Sequence, residues 1–161
     1  MPQQQGARRS IEHGLHDVSD RPWSKSSDKL HHPTNPNMLI KVLVADDNEI
    51  VRSALVRMLK AHADLAVIGE AATFAETLEL VDGLKPDIVL LDLHMPDEKN
   101  YLPESVKLQV LENVGCILAI SVWNDSEAKA LAEKFGAKAL IDKAHLFSEL
   151  IPTIKAFCLK S

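Results

Sequence analysis

Two stretches decide the fold: LIKVLVADD at residues 39–47 and IVLLD at residues 88–92. Each is an apolar run of strand length that ends abruptly in acid. The second contains no polar residue before Asp92. A strand with no alternation must have both faces covered, which is the condition of a parallel sheet between helices. Two further runs have the same form. CILAIS at 116–121 ends on Ser121, and the short run ALI at 139–141 is followed by Asp142 and Lys143. A shorter apolar run at 65–68 completes the set of strands.

Between these runs the period changes to that of a helix. Residues 49–61 place Ile50, Val51, Ala54, Leu55, Met58 and Leu59 on one face. Thr73 with Glu76 three residues on is a capping-box pattern, followed by an apolar stripe of Phe74, Leu78 and Val81. Gly83 and Pro86 are expected to end that helix. After Asp92 comes a loop to residue 102, then a helix through Val110 and Leu111 with Pro103 in its first turn. Residues 126–135 form a helix closed by Gly136 at the C′ position, and residues 146–157 the last helix, with Pro152 near its first turns. Five strands, each followed by a helix, predict an α/β doubly wound parallel sheet with helices on both faces.

Residues 1–38 differ in kind. The stretch before Met38 holds four of the eight prolines and four of the seven histidines, and shows no apolar period. It reads as a disordered tail, or as untranslated if Met38 is the true start. His31-His32 has no further ligands beside it, and Arg8-Arg9 is too short for a nucleic-acid arm. Residues 39–161 read as one domain.

Composition narrows the class. A net charge of −5 argues against direct nucleic-acid binding, which needs a basic patch. No run reaches membrane-span length and no apolar signal core is present, so a cytoplasmic protein is expected. Cys116 and Cys158 have neither framework nor metal spacing and read as ordinary thiols of a reducing compartment.

In a doubly wound sheet, ligands bind outside the carboxyl ends of the strands. Asp46, Asp47, Asp92, Ser121 and Lys143 all fall there. Taken singly, each has an ordinary explanation: a helix cap, a turn, a loop hydroxyl, a solvated cation. Taken together they compose a site. Three converging carboxylates repel one another, and without a cation at least one is expected to hold a proton at neutral pH. An all-oxygen ligand set suits magnesium, with Asp47 and Asp92 as ligands and Asp46 acting directly or through water. Asp92 is then a carboxylate able to attack phosphorus. Lys143 and the Ser121 hydroxyl are placed to meet the charge of an incoming phosphoryl group.

The segments VLVADDNEIVR, DIVLLDLHMPD, AIS and IDK resemble the signature segments of the response-regulator receiver domain. The resemblance covers residues 39–161. It implies the flavodoxin-like strand order 2-1-3-4-5 and a phosphoacceptor role for Asp92, supplied by a histidine kinase or a phosphotransfer protein with Mg2+. It implies Asp46 and Asp47 as the acidic pair, His94 as a metal ligand through its backbone carbonyl, and Ser121 and Lys143 as the switch hydroxyl and the lysine. The chain departs from the pattern at Leu140, where an aromatic residue is usual, and at Val122, Ala144 and Glu98-Lys99-Asn100-Tyr101. An aromatic-rotamer switch is therefore not expected, whereas movement of the serine is.

With the last helix followed at once by Ser161, the expectation is a single-domain response regulator. It is expected not to be an enzyme in its own right and to signal through altered binding to a downstream protein. The alternative is a receiver-like binding module that works without phosphorylation. A haloacid-dehalogenase type phosphatase would need an acid where His94 stands, to protonate the leaving group. A flavodoxin would need a phosphate cradle where Asp46 and Asp47 repel anions. Trp123, two residues beyond Ser121, reads as a rim aromatic and a built-in reporter.

Overall fold

The strands in the computed structural model run in the order that the resemblance implies. They form one parallel five-stranded sheet, β2-β1-β3-β4-β5. The structure describes residues 38–97 and 104–159, the side chain of Val106 excepted. The expectations for residues 1–37, for Glu98-Lys99-Asn100-Tyr101 and for Pro103 lie outside the described residues. Among those described, no helix is long and apolar enough to cross a membrane.

The elements in chain order are β1 (Ile40–Ala45), α1 (Glu49–Lys60), β2 (Leu65–Ala71), α2 (Phe74–Leu84), β3 (Ile88–Asp92), α3 (Glu104–Leu111), β4 (Cys116–Ser121), α4 (Ser126–Lys134), β5 (Ala139–Asp142), a 3-10 turn (Lys143–His145) and α5 (Leu146–Phe157). Successive residues of the central strands face opposite ways, so each strand feeds two cores. Leu43, Val89, Leu91, Ile117 and Ala119 pack under α2, α3 and α4 with Phe74, Leu78, Leu111, Ala132 and Phe135. Val42, Val44, Ile88, Leu90, Leu118 and Ile120 pack under α1 and α5 with Leu55, Leu59, Leu146, Leu150 and Ile154. Each such side chain contributes about 1.5–3 kcal/mol by leaving water.

Local chemistry fixes the helix ends. Asn48 caps α1, its side-chain oxygen accepting from the N–H groups of Ile50 and Val51. Thr73 caps α2 by accepting from Glu76 N–H, while the Glu76 carboxylate accepts from Ala72 N–H, one residue earlier than a strict capping box. Gly136 has φ +77°, and the bonds from Gly136 N–H to the Glu133 carbonyl and from Ala137 N–H to the Ala132 carbonyl complete a Schellman motif. Helix α2 ends instead on Lys85 in the left-handed region (φ 52°), just before Pro86.

Several sequence expectations need correction. Ile50, assigned to the buried face of α1, is 81% exposed, and Val56 is buried in its place. Ile50 sits in the first turn, at the carboxyl pole of the sheet, where there is no strand to cover it. β2 runs on through Gly69 and Glu70 to Ala71, with Ile68 as an extra residue between the pairs Val42–Val67 and Leu43–Gly69. Pro152 lies well inside α5 rather than in its first turns; the Ser148 carbonyl it leaves without an N–H is on an exposed residue, open to hydration. Finally, Cys116 and Cys158 are not thiols. They form a disulfide, with Cα atoms 5.5 Å apart. Helix α5 runs antiparallel to the strands, so its end returns to the place where β4 begins.

Candidate functional site at the carboxyl ends of the strands

The site begins with register. Ala45 lies opposite Leu91, which sets Asp46 and Asp92 at one level on neighbouring strands. Asp92 pairs with Ile120, so Ser121 stands one step beyond it, opposite Asp142 of β5. Lys143 follows in the 3-10 turn, which Asp142 caps by accepting from Ala144 N–H. The residues expected to converge therefore come from four strand ends by topology alone.

Their side chains meet. Carboxylate oxygens of Asp46, Asp47 and Asp92 lie within 4.8 Å of one another. Asp46 is fully buried and Asp92 nearly so, while Asp47 is exposed. The Lys143 ammonium lies 2.8 Å from Asp46 Oδ2 and 3.3 Å from Asp92 Oδ2. Only the contact with Asp92 has hydrogen-bond geometry; Asp46 Oδ2 has an ion-pair neighbour but no hydrogen bond. Asp92 Oδ1 accepts from His94 N–H at 3.0 Å, and Asp46 Oδ1 from Asn48 N–H at 2.8 Å.

Burial pushes the Asp92 carboxyl up to about 6. The His94 N–H and Lys143 pull the other way, but the neighbouring carboxylates of Asp47 and Asp46 add to the rise. The direction is the one expected from the sequence, but burial is the larger cause, and a carboxyl near 6 is mostly ionised at neutral pH rather than protonated. Burial works to lower the Lys143 ammonium, yet Asp46 and Asp92 outweigh it and hold it above its ordinary value. The lysine is thus a fixed positive charge among three acids.

The donor set fits a hard divalent cation. It is all oxygen, it carries excess negative charge, and the buried Asp46 Oδ2 lacks a hydrogen bond. Imidazole does not join it. The His94 ring stacks edge-on against Trp123, with centroids 4.8 Å apart. Trp123 is 57% exposed, as a rim aromatic should be, and its backbone N–H donates to Ser121 Oγ at 3.0 Å. Ser121 itself is fully buried.

Three supports escaped the reading of the sequence. Arg52 donates from Nη1 to the Asp46 carbonyl and from Nε to Glu70, tying the acidic loop to α1 and β2. Asn48, not the acidic pair, caps α1, so neither Asp46 nor Asp47 is used at the helix end; Asp46 accepts from Asn48 N–H through Oδ1 and turns Oδ2 to Lys143. Asp97, five residues beyond Asp92, accepts from Phe74 N–H and Ala75 N–H and so binds the loop after β3 to the start of α2. The Asn before a helix carries a signal for its role; Asp97 carries none, because its partners are more than twenty residues away.

Comparison with known proteins gives a consistent result. The model of the response regulator receiver domain matches residues 42–155. The transcriptional regulatory protein YhcZ of Bacillus subtilis is 33% identical over 114 residues, 71% of this chain and 53% of that protein. The DNA-binding transcriptional activator DevR/DosR of Mycobacterium tuberculosis is 32% identical over 117 residues, 73% of this chain and 54% of its own length. The chain therefore spans about half the length of these relatives. Among solved structures, the signal receiver domain of a NarL response regulator from Mycobacterium tuberculosis superposes with TM-score 0.62 at 28% identity, covering 73% of this chain and 94% of that one.

Proposed function

The chain belongs to the response regulator receiver domain family, and on that premise we propose that Asp92 accepts a phosphoryl group from a histidine kinase or phosphotransfer protein. The observation that carries this is the meeting of Asp92 with Asp46, Asp47 and Lys143 at one pole of the sheet. In the reaction an Asp92 oxygen attacks phosphorus of a phosphohistidine. The P–N bond breaks, the leaving imidazole takes a proton from solvent, and an acyl phosphate remains on Asp92. Asp92 must be ionised to attack, and Lys143 favours that form. Lys143 then meets the added negative charge, and the Ser121 hydroxyl donates to a phosphoryl oxygen. Magnesium, when bound, neutralises the carboxylates and the transferring group; Asp46, Asp47 and Asp92 are assigned to hold it, with the backbone carbonyl of His94.

The protein is read as a phosphoacceptor rather than an enzyme with a substrate of its own. Residues 39–161 are assigned as the receiver unit of a single-domain, cytoplasmic regulator. Its output is altered binding to a downstream protein, with no direct contact to nucleic acid; the regulatory names of its relatives describe those proteins. Intact mass of the native protein tests both the single-domain reading and a start at Met38.

The decisive experiment is phosphotransfer from a panel of histidine kinases to the full chain. Wild type takes up acid-labile phosphate and Asp92→Asn does not; equal labelling of the variant overturns the assignment. Absence of labelling together with a flat Trp123 response to magnesium and beryllofluoride, in a Trp23→Phe background, would instead favour the phosphorylation-independent module.

A further inference from the structure

The disulfide has no part in the phosphoacceptor reading, and it does not depend on it. Its place is informative. Cys116 is the first residue of β4 and is 4% exposed; Cys158 caps α5 and is half-buried. The bond thus staples the end of the last helix to the edge of a central strand at the amino pole of the sheet. The covalent ring it closes joins residues 42 apart in sequence and contains Ser121 and Lys143, both at the opposite pole. Outside the bond, the end of α5 is held by partial packing of Leu159 against the core. Phe157 is 48% exposed, and the last deeply buried side chain of the helix is Ile154.

We propose that Cys116 and Cys158 form a thiol–disulfide exchange site whose state sets the freedom of the end of α5. The co-reactant is a low-molecular-weight disulfide. The half-buried Cys158 reacts first: its thiolate attacks one sulfur of the co-reactant, breaking the S–S bond and expelling a thiolate that takes up the Cys158 proton. Cys116, deprotonated in turn, attacks Cys158 Sγ of the mixed disulfide and expels the second thiol. Two protein thiols are oxidised and one disulfide is reduced to two thiols, so the electrons balance. Reduction runs the same steps backwards. The accessibility difference gives the order; the shared position at the helix end gives the effect.

Closing a ring of this length restrains the unfolded chain and the end of the helix alike. Opening it lets the final turns of α5 fray, since the cap N–H of Cys158 to the Ile154 carbonyl is the last helical bond there. Helix α2, which packs on the opposite face of the sheet from α5, lies outside the ring.

The test equilibrates full-length protein with mixtures of glutathione and glutathione disulfide, blocks free thiols, and follows the Cys116–Cys158 peptide by mass spectrometry. A single two-electron transition is expected. Amide hydrogen exchange is then compared between the two states. Exchange in residues 150–158 is expected to quicken about tenfold or more on reduction, with residues 74–84 of α2 unchanged. Cys158→Ser is expected to exchange like reduced wild type under both conditions and to melt about 10 °C below the oxidised protein. Failure of the joined peptide to form, with only mixed disulfide on Cys158, overturns the site. Identical exchange in the two states overturns its effect on α5.

Discussion

The two poles of the sheet handle their polar groups in opposite ways. At the amino pole, the helix ends are closed by their own chain. The Schellman turn after α4 satisfies its carbonyls, Asp87 accepts from Lys41 N–H at 2.8 Å, and a covalent bond secures the end of α5. At the carboxyl pole, charge is left in conflict. Three acids share one pocket, one buried oxygen lacks a hydrogen bond, and a single lysine stands between two of them. Apolar side chains of Ile50, Val122 and Trp123 stay in water around it. The contrast separates what holds the fold from what is reserved for a ligand, since unresolved charge is stable only where something else is meant to complete it.

The sharpest way to break this contrast is through Lys143. Lys143→Ala is expected to lower the rate of phosphotransfer by about 100-fold or more, the usual consequence of removing a charge that meets a transferring group. Single-turnover labelling measures it; an unchanged rate would make Lys143 a structural residue like those at the other pole. The same variant leaves Asp46 and Asp92 buried without a cation. In chelator its stability should fall by about 3–5 kcal/mol, and magnesium should recover much of that, as chemical denaturation would reveal.

A mid-sized effect belongs to Asp97. Its carboxylate accepts two backbone N–H groups at the start of α2, so Asp97→Ala should cost about 2 kcal/mol with magnesium present or absent. Urea titration in both conditions separates it from Lys143, whose loss depends on the metal. The smallest effect is a pH dependence. Asp92 in the fold titrates near 6, above the 3.8 of an unperturbed aspartate. In the window between these values the folded state binds more protons than the unfolded one, so this group lowers stability as pH rises through it. In chelator, going from pH 7 to pH 5 should therefore raise the Tm by a few degrees, about 2–4 °C. Asp92→Asn should remove that part of the slope; if it persists, another group owns it.

Much of this is legible in the sequence itself. Strand ends announce themselves where an apolar run stops at Asp46, Asp92 or Ser121, because burial and solvation change within one residue. The cap at Thr73 and the turn at Gly136 were legible for the same reason: their chemistry is local. What was hidden depends on distance along the chain. The pairing of Cys116 with Cys158 follows from the return path of α5, and the reach of Asp97 to α2 from the packing of two loops. The exposure of Ile50 was misread because a helical period names a face but not where along the helix that face runs out of cover. Strand β2 was cut short because Gly69 and Glu70 look like a break, whereas an edge strand tolerates both.

That edge strand also constrains assembly. At Ile68 the outer backbone of the sheet steps out of register, and Glu70 just beyond it carries an exposed charge held by Arg52. A kinked, charged margin is a poor template for a strand from another molecule. A strand from a second copy should therefore find no regular ladder to join along β2, whatever the β5 edge offers.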